Sequence, residues 1–203
     1  MTAPIAIKIC GITRLDDAFA AAALDVDALG FVLWSQSPRA TTADTIRPIV
    51  DALPPFITPV GVFVDPSADD VARARDAGVQ VAQVHGVVPP LPPGMRLLRA
   101  VSLGEMAGTL DPEVPGSGAV LVDAHDPVRR GGTGTTVNWS RVRLVAAIRP
   151  VILAGGLTPD NVAAAIHEAR PYGVDVSSGV ERAPGVKNHH RLAAFVAAVR
   201  AHA

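Results

Sequence analysis

The stretch Ile5-Ala6-Ile7-Lys8-Ile9-Cys10-Gly11-Ile12-Thr13 decides how the chain is read. An apolar, β-branched run is broken by a glycine and a polar residue, which is the pattern of a buried strand that delivers a side chain to a loop. That side chain is Cys10, the only cysteine of the 203 residues. A thiol at a strand end acts as a base or nucleophile where its pKa is lowered, and as a small core hydrophobe where it is not. Similar short runs recur at 28–33, 58–64, 79–84, 97–101, 119–122, 151–153 and 174–176. Near-continuous apolar runs of this length suit strands covered on both faces, as in parallel sheets.

Helical patterns lie between the runs. Residues 16–24 are alanine-rich and follow a polar cap at Thr13. Residues 42–53 open at Thr42 and stop before Pro54-Pro55. Thr158-Pro159-Asp160 reads as a cap leading into a helix over 161–169, and 190–200 places Leu192, Phe195, Val196 and Val199 at helical spacing. Eight strands alternating with helices predict one (β/α)8 TIM barrel domain over 1–203, with a doubly wound open sheet as the structural alternative. Pro89, Pro90, Pro92 and Pro93 forbid a normal helix after the fourth strand, so a proline-rich loop is expected over 87–95. Residues 102–118 have room for a short helix at most.

Composition narrows the class. Hydrophobic residues make up 49% of the chain, enough for a sizeable core, and the formal charge of -1 gives no footprint for nucleic acid or an anionic membrane. A lone cysteine cannot form an internal disulfide, which fits a reducing compartment. No basic segment precedes the first apolar run and no apolar stretch is long enough to span a bilayer, so a cytoplasmic protein is expected.

In a barrel of this type the active site forms at the carboxyl ends of the strands. Cys10-Gly11 ends the first, Ser37-Pro38-Arg39 follows the second, and Gln83-Val84-His85-Gly86 ends the fourth. Asp123 ends the sixth, and Gly131-Gly132-Thr133-Gly134 lies in the loop beyond it. Ala154-Gly155-Gly156 and Ser177-Ser178-Gly179 end the last two strands. Together with Leu29-Gly-Phe-Val32, Val60-Gly-Val-Phe-Val64 and Val174-Asp-Val-Ser-Ser-Gly-Val-Glu181, these motifs run in order along almost the whole chain. In this the chain resembles the phosphoribosylanthranilate isomerase family of tryptophan biosynthesis. It departs from that pattern in the proline-rich loop, at Asn138 before Trp139, and at Asn188 after Lys187, where aspartates are usual.

The resemblance implies an Amadori rearrangement of N-(5′-phosphoribosyl)anthranilate, an aminoaldose, to the corresponding 1-deoxyribulose 5-phosphate. It implies Cys10 as general base, Asp123 as general acid, and no metal, nucleotide or flavin cofactor. Position supports both roles. A thiolate titrates nearer neutrality than a carboxylate, and partial burial would raise Asp123 into an acid's working range. Asp126, before Pro127, competes for the acid role but suits a turn.

Lys8 shares inward parity with Cys10 and either lowers the thiol pKa or pairs with an inward charge such as Asp175. Arg39 is assigned to the anthranilate carboxylate, because a guanidinium grips a carboxylate bidentately; the alternative is a solvated arginine. Asp175 is assigned to the anthranilate amine. Gly155, Gly156, Ser178 and Gly179 are assigned to phosphate, and Gly131, Gly132, Thr133 and Gly134 to a loop closing over the substrate. Gln83 and His85 read as structural polar residues of the interior. His189-His190 reads as a solvated face, since adjacent positions do not converge on a metal.

Rival readings are indole-3-glycerol-phosphate synthase, the aminoaldose isomerase of histidine synthesis, and a non-catalytic phosphosugar-binding barrel. The partner expected is a small phosphorylated substrate, with the protein a monomer or homodimer.

Overall fold

The computed structural model describes residues 4–103, 118–123 and 139–202. Eight parallel strands close on themselves in sequence order: β1 (Ala6–Cys10), β2 (Ala28–Val32), β3 (Thr58–Val64), β4 (Val81–His85), β5 (Arg96–Ser102), β6 (Val120–Asp123), β7 (Val151–Ala154) and β8 (Gly173–Val176). Closure is made by β1 against β8, with Lys8 opposite Asp175. The expected barrel is therefore the fold, and the open-sheet alternative is excluded.

Side chains alternate between two cores, as a period of two demands. Ile7, Ile9, Leu29, Phe31 and Phe63 point outward under the helices and are essentially inaccessible. Burying a side chain of this size contributes roughly 1.5–3 kcal/mol each, so this outer shell supplies most of the driving force. Inside the barrel, Val60, Val81, Leu98, Ala100, Leu121 and Ala154 form one apolar layer, and Cys10, Val32 and Val62 form another nearer the carboxyl ends.

The described helices are α1 (Leu15–Ala22), α2 (Ala43–Asp51), α3 (Ala68–Asp76), α4 (Trp139–Ala146), α5 (Val162–Ala169) and α6 (His189–Arg200). Local signals explain several of their starts. Thr42 caps α2 by accepting from the Thr45 N–H, and Ser67 with Asp70 forms a reciprocal capping box on α3. Residues 86–95 carry no helix between β4 and β5. The prolines there lack the N–H groups that a helix would need.

Two helix starts differ from expectation. Thr13 does not cap α1: Arg14 takes the cap position, while the Thr13 hydroxyl donates to the Gly185 carbonyl at 2.5 Å. A competing acceptor drew the hydroxyl away. Before α5 the chain makes a turn, in which the Asn161 side chain accepts from the Thr158 N–H at 2.8 Å and donates to the Gly156 carbonyl at 3.0 Å. The helix therefore starts at Val162 rather than 161.

The antiparallel hairpin β9 (Glu181–Ala183) and β10 (Val186–Lys187) has no counterpart in the expected elements. It is folded around Pro184-Gly185, a turn signal that the sequence does carry. Asn188 then caps α6 by accepting from the Arg191 N–H at 3.1 Å. Replacing Asn188 by alanine should cost about 1 kcal/mol. That corresponds to a melting temperature about 2–4 °C lower by scanning calorimetry, with Asn188→Asp close to neutral.

Candidate active site

Lys8 and Cys10 rise from β1 into the barrel, and Gly30 on β2 makes room for them. A Cβ built on Gly30 would stand 2.9 Å from the Cys10 Sγ and 3.0 Å from the Lys8 Nζ. The thiol and the ammonium thus share the space that any other residue at 30 would fill. The Lys8 ammonium donates to Asp175 Oδ1 at 2.9 Å in a buried pair across the β1–β8 junction. Lys8 does both things the sequence left open, since it pairs with Asp175 and its charge lies beside the thiol.

The charges of this group set its protonation. Burial works against the Lys8 cation, but the Asp175 carboxylate and the thiol outweigh it and hold the lysine above its ordinary pKa. Burial pushes the Cys10 thiol up, Lys8 pulls it down, Asp175 pushes it further up, and Lys187 makes a smaller downward contribution. The balance in the free protein is upward, so of the two readings left open for Lys8 the pairing with Asp175 prevails over a lowered thiol. Desolvation of a thiolate inside the barrel wins over one lysine that is already shared with a carboxylate.

Arg39 lies directly above this group. Its Cδ is 2.7 Å from the point where a Gly11 Cβ would sit, and Ser177 Oγ is 3.0 Å from the same point. Gly11, at a φ of +77°, therefore lets the arginine stem cross the end of the strand that carries Cys10. The guanidinium is partly exposed and is held along one edge by Glu181, with Nε at 2.9 and 3.0 Å from the two carboxylate oxygens and Nη2 at 2.7 Å. It is not a free surface arginine.

Glu181 in turn accepts from the Lys187 ammonium at 2.9 Å, and Lys187 donates to the Cys10 carbonyl at 2.5 Å and the Ser177 carbonyl at 3.3 Å. Burial works against the Glu181 anion, but Arg39 and Lys187 together keep its pKa below the ordinary glutamate range.

Asp123 ends β6 two residues after the inward Leu121, so it too faces the interior, and it is half-buried. Gln83 and His85 point inward together, their Nε2 atoms 3.2 Å apart. Gly155 and Gly156 follow β7 with φ of +95° and +66°. Gly179, in the short 3-10 turn Ser178–Val180 after β8, packs so closely that a Cβ there would collide with the Leu157 carbonyl oxygen. The two loops assigned to phosphate are thus backbone to backbone. Residues 131–134, Asp126 and Asn138 lie outside the described residues.

His189 is not simply solvated. Its Nε2 lies 2.8 Å from Oδ1 of the buried Asp17, whose other oxygen accepts from the Lys187 N–H at 3.0 Å. Among the described residues no group of histidine, cysteine or carboxylate side chains could hold a metal, and no helix is long and apolar enough to cross a membrane.

Glu181, Lys187 and Asp17 were not singled out from sequence. Glu181 stood at the end of a quoted motif and Lys187 within a quoted dipeptide, but nothing in their spacing tied them to Arg39 or Cys10.

A closed (β/α)8 barrel with its titratable and glycine-rich residues gathered at the carboxyl ends of the strands defines the class, a barrel enzyme of small-molecule metabolism. Comparison with known proteins gives the family. The N-(5′-phosphoribosyl)anthranilate isomerase family model matches residues 7–198. The isomerase of Pseudomonas fluorescens strain Pf0-1 is 43% identical over 200 residues, covering 95% of this chain and 97% of that one.

Among solved structures, the isomerase from Thermotoga maritima superposes with a TM-score of 0.83 at 34% identity, over 97% of this chain and 99% of the other. A phosphoribosylanthranilate isomerase in complex with reduced 1-(o-carboxyphenylamino)-1-deoxyribulose 5-phosphate superposes with a TM-score of 0.80 at 31% identity, again over 97% and 99%. The chain belongs to the phosphoribosylanthranilate isomerase family.

Two measurements test the electrostatics. Lys8→Met leaves Asp175 buried and unpaired, so stability in urea should fall by about 3–5 kcal/mol, while Lys8→Met combined with Asp175→Leu should recover most of it. Alkylation of wild-type Cys10 by iodoacetamide should be slow at neutral pH and still accelerating above about pH 8.5, the ordinary thiol pKa. A rate that levels off below that pH would contradict the assignment.

Proposed function

We propose that the protein isomerises N-(5′-phosphoribosyl)anthranilate to 1-(2-carboxyphenylamino)-1-deoxyribulose 5-phosphate in tryptophan biosynthesis, using its own side chains as acid and base. The observation that carries this reading is the passage of Arg39 over Gly11. It brings a carboxylate-binding guanidinium to the end of the strand bearing the thiol, with the glycine loops of β7 and β8 on the same mouth. A substrate with an aromatic carboxylate at one end and a phosphate at the other would span such a site with its reacting carbons between. The ligand in the complexed relative has both groups.

In this mechanism Asp123 protonates the furanose ring oxygen, the bond from that oxygen to C1′ breaks, and the sugar opens to a protonated Schiff base. Cys10 then removes the proton from C2′. The electrons of that C–H bond form the C1′–C2′ double bond and neutralise the iminium nitrogen, giving an enolamine that tautomerises to the ketone. Burial disfavours the thiolate before substrate binds. The iminium cation formed by ring opening adds a positive charge beside it, which favours the thiolate at the step that needs it.

Asp175, already bonded to Lys8 through Oδ1, accepts from the anilino N–H. The N–H groups of the loops at Gly155-Gly156 and Ser178-Gly179 hold the phosphate. The general acid–base assignment fits a protein that works without metal or organic cofactor, as a monomer or a homodimer.

The test is turnover of freshly prepared phosphoribosylanthranilate followed by loss of its fluorescence. Wild type should turn over, and Cys10→Ser should lose several orders of magnitude in kcat while retaining affinity for the reduced product analogue. Arg39→Ala should mainly raise KM. An unchanged KM would remove Arg39 from its role, and no turnover by folded wild type would reject the reaction.

A further inference from the structure

Arg39 spends only one edge of its guanidinium on Glu181. Nε and one N–H of Nη2 are engaged, whereas Nη1 and the other N–H of Nη2 have no partner among the described residues. A guanidinium offers two bidentate faces to carboxylates, one along Nε and Nη2 and one end-on along Nη1 and Nη2. Filling the first fixes the plane of the group and leaves the second as a fork of known direction.

The carboxylate that fills it is itself immobilised. Glu181 is almost inaccessible, and Oε1 also accepts from the Lys187 ammonium at 2.9 Å and the Gly185 N–H at 3.3 Å. Lys187 is fully buried and bonded to the Cys10 and Ser177 carbonyls, which are the ends of β1 and the chain just beyond β8. One continuous set of hydrogen bonds therefore runs from the backbone of Cys10 through Lys187 and Glu181 to Arg39.

We propose that Glu181 is a positioning residue for substrate specificity: anchored by Lys187 to the strand that carries Cys10, it clamps one edge of Arg39 so that the opposite edge is presented to the aromatic carboxylate. The proposal rests on the assignment of Arg39 in the preceding subsection. A flexible arginine alone would lose rotamer entropy on gripping the carboxylate; a clamped one has lost it beforehand. Because the clamp and Cys10 share Lys187, the distance from the carboxylate grip to the base is set by the fold rather than by the substrate. A carboxylate that merely competed with substrate for Arg39 would need to leave. Glu181 has two other donors, the Lys187 ammonium and the Gly185 N–H, holding it in place.

The experiment measures affinity for two ligands, reduced 1-(o-carboxyphenylamino)-1-deoxyribulose 5-phosphate and the same molecule lacking the ring carboxylate, with wild type, Arg39→Ala, Glu181→Gln and Glu181→Asp. Glu181→Asp keeps the charge beside Lys187 but withdraws it from Arg39, so it separates positioning from folding.

Wild type should prefer the carboxylate ligand. Both Glu181 variants should weaken that ligand by about tenfold, the loss of one charge-assisted contact's worth of ordering, and leave the other ligand unchanged. KM should rise in parallel with kcat little altered, and in the Arg39→Ala background Glu181→Asp should have no further effect.

Equal weakening of both ligands, additivity with Arg39→Ala, or tighter binding on loss of the Glu181 charge would overturn the proposal. Failure of wild type and Arg39→Ala to distinguish the two ligands would instead remove the carboxylate assignment of Arg39 itself.

Discussion

The ion pair between Lys8 and Asp175 holds the centre of this structure. It joins the first strand to the last inside the barrel, where neither charge is accessible to water in any quantity. Two desolvated charges are tolerated only because each is the other's partner, and removing either leaves an uncompensated charge in the interior. Every functional assignment on β1 and β8 depends on that junction. Cys10 is two residues beyond Lys8, and Ser177-Ser178-Gly179 begins two residues beyond Asp175.

Around the thiol the charges alternate. Lys8 and Lys187 supply positive charge, Asp175 and Glu181 negative, and Arg39 closes the set at the surface. Such an arrangement keeps five ionised groups close together without a large net field, and it leaves the thiol balanced between burial and its lysine neighbours. The proposed role of Cys10, protonated at rest and favoured as thiolate when a cation forms on the substrate, is consistent with that balance. The same alternation orients the side chains, because each charged group has its donors or acceptors fixed by the next.

Much of this was legible in the chain. The eight apolar runs, most of them ending in glycine or a titratable residue, pointed to the barrel over the open sheet. The prolines at 89, 90, 92 and 93 correctly removed one helix. Inward parity correctly paired Lys8 with Cys10, and Gln83 with His85, because a strand's period of two is strict. Capping signals were less reliable. Thr13 looked like a cap, but its hydroxyl has a competing acceptor in the distant Gly185 carbonyl; at Thr158 the backbone N–H is bound by the Asn161 side chain, which takes the cap position itself.

The sequence by itself determined the alternation of strands and helices, the inward faces and the identity of the chemically capable residues, since these follow from periodicity and residue type along short stretches. Only the tertiary structure decided who pairs with whom. Arg39 and Glu181 are 142 positions apart and Lys187 lies 177 from Cys10, so no local pattern relates them. The direction of the Cys10 pKa was also decided there. It depends on how completely the barrel excludes water from the thiol, and on whether Lys8 has already given its charge to Asp175. Neither is a property of the residues near Cys10 in the chain; both come from closing the first strand against the last.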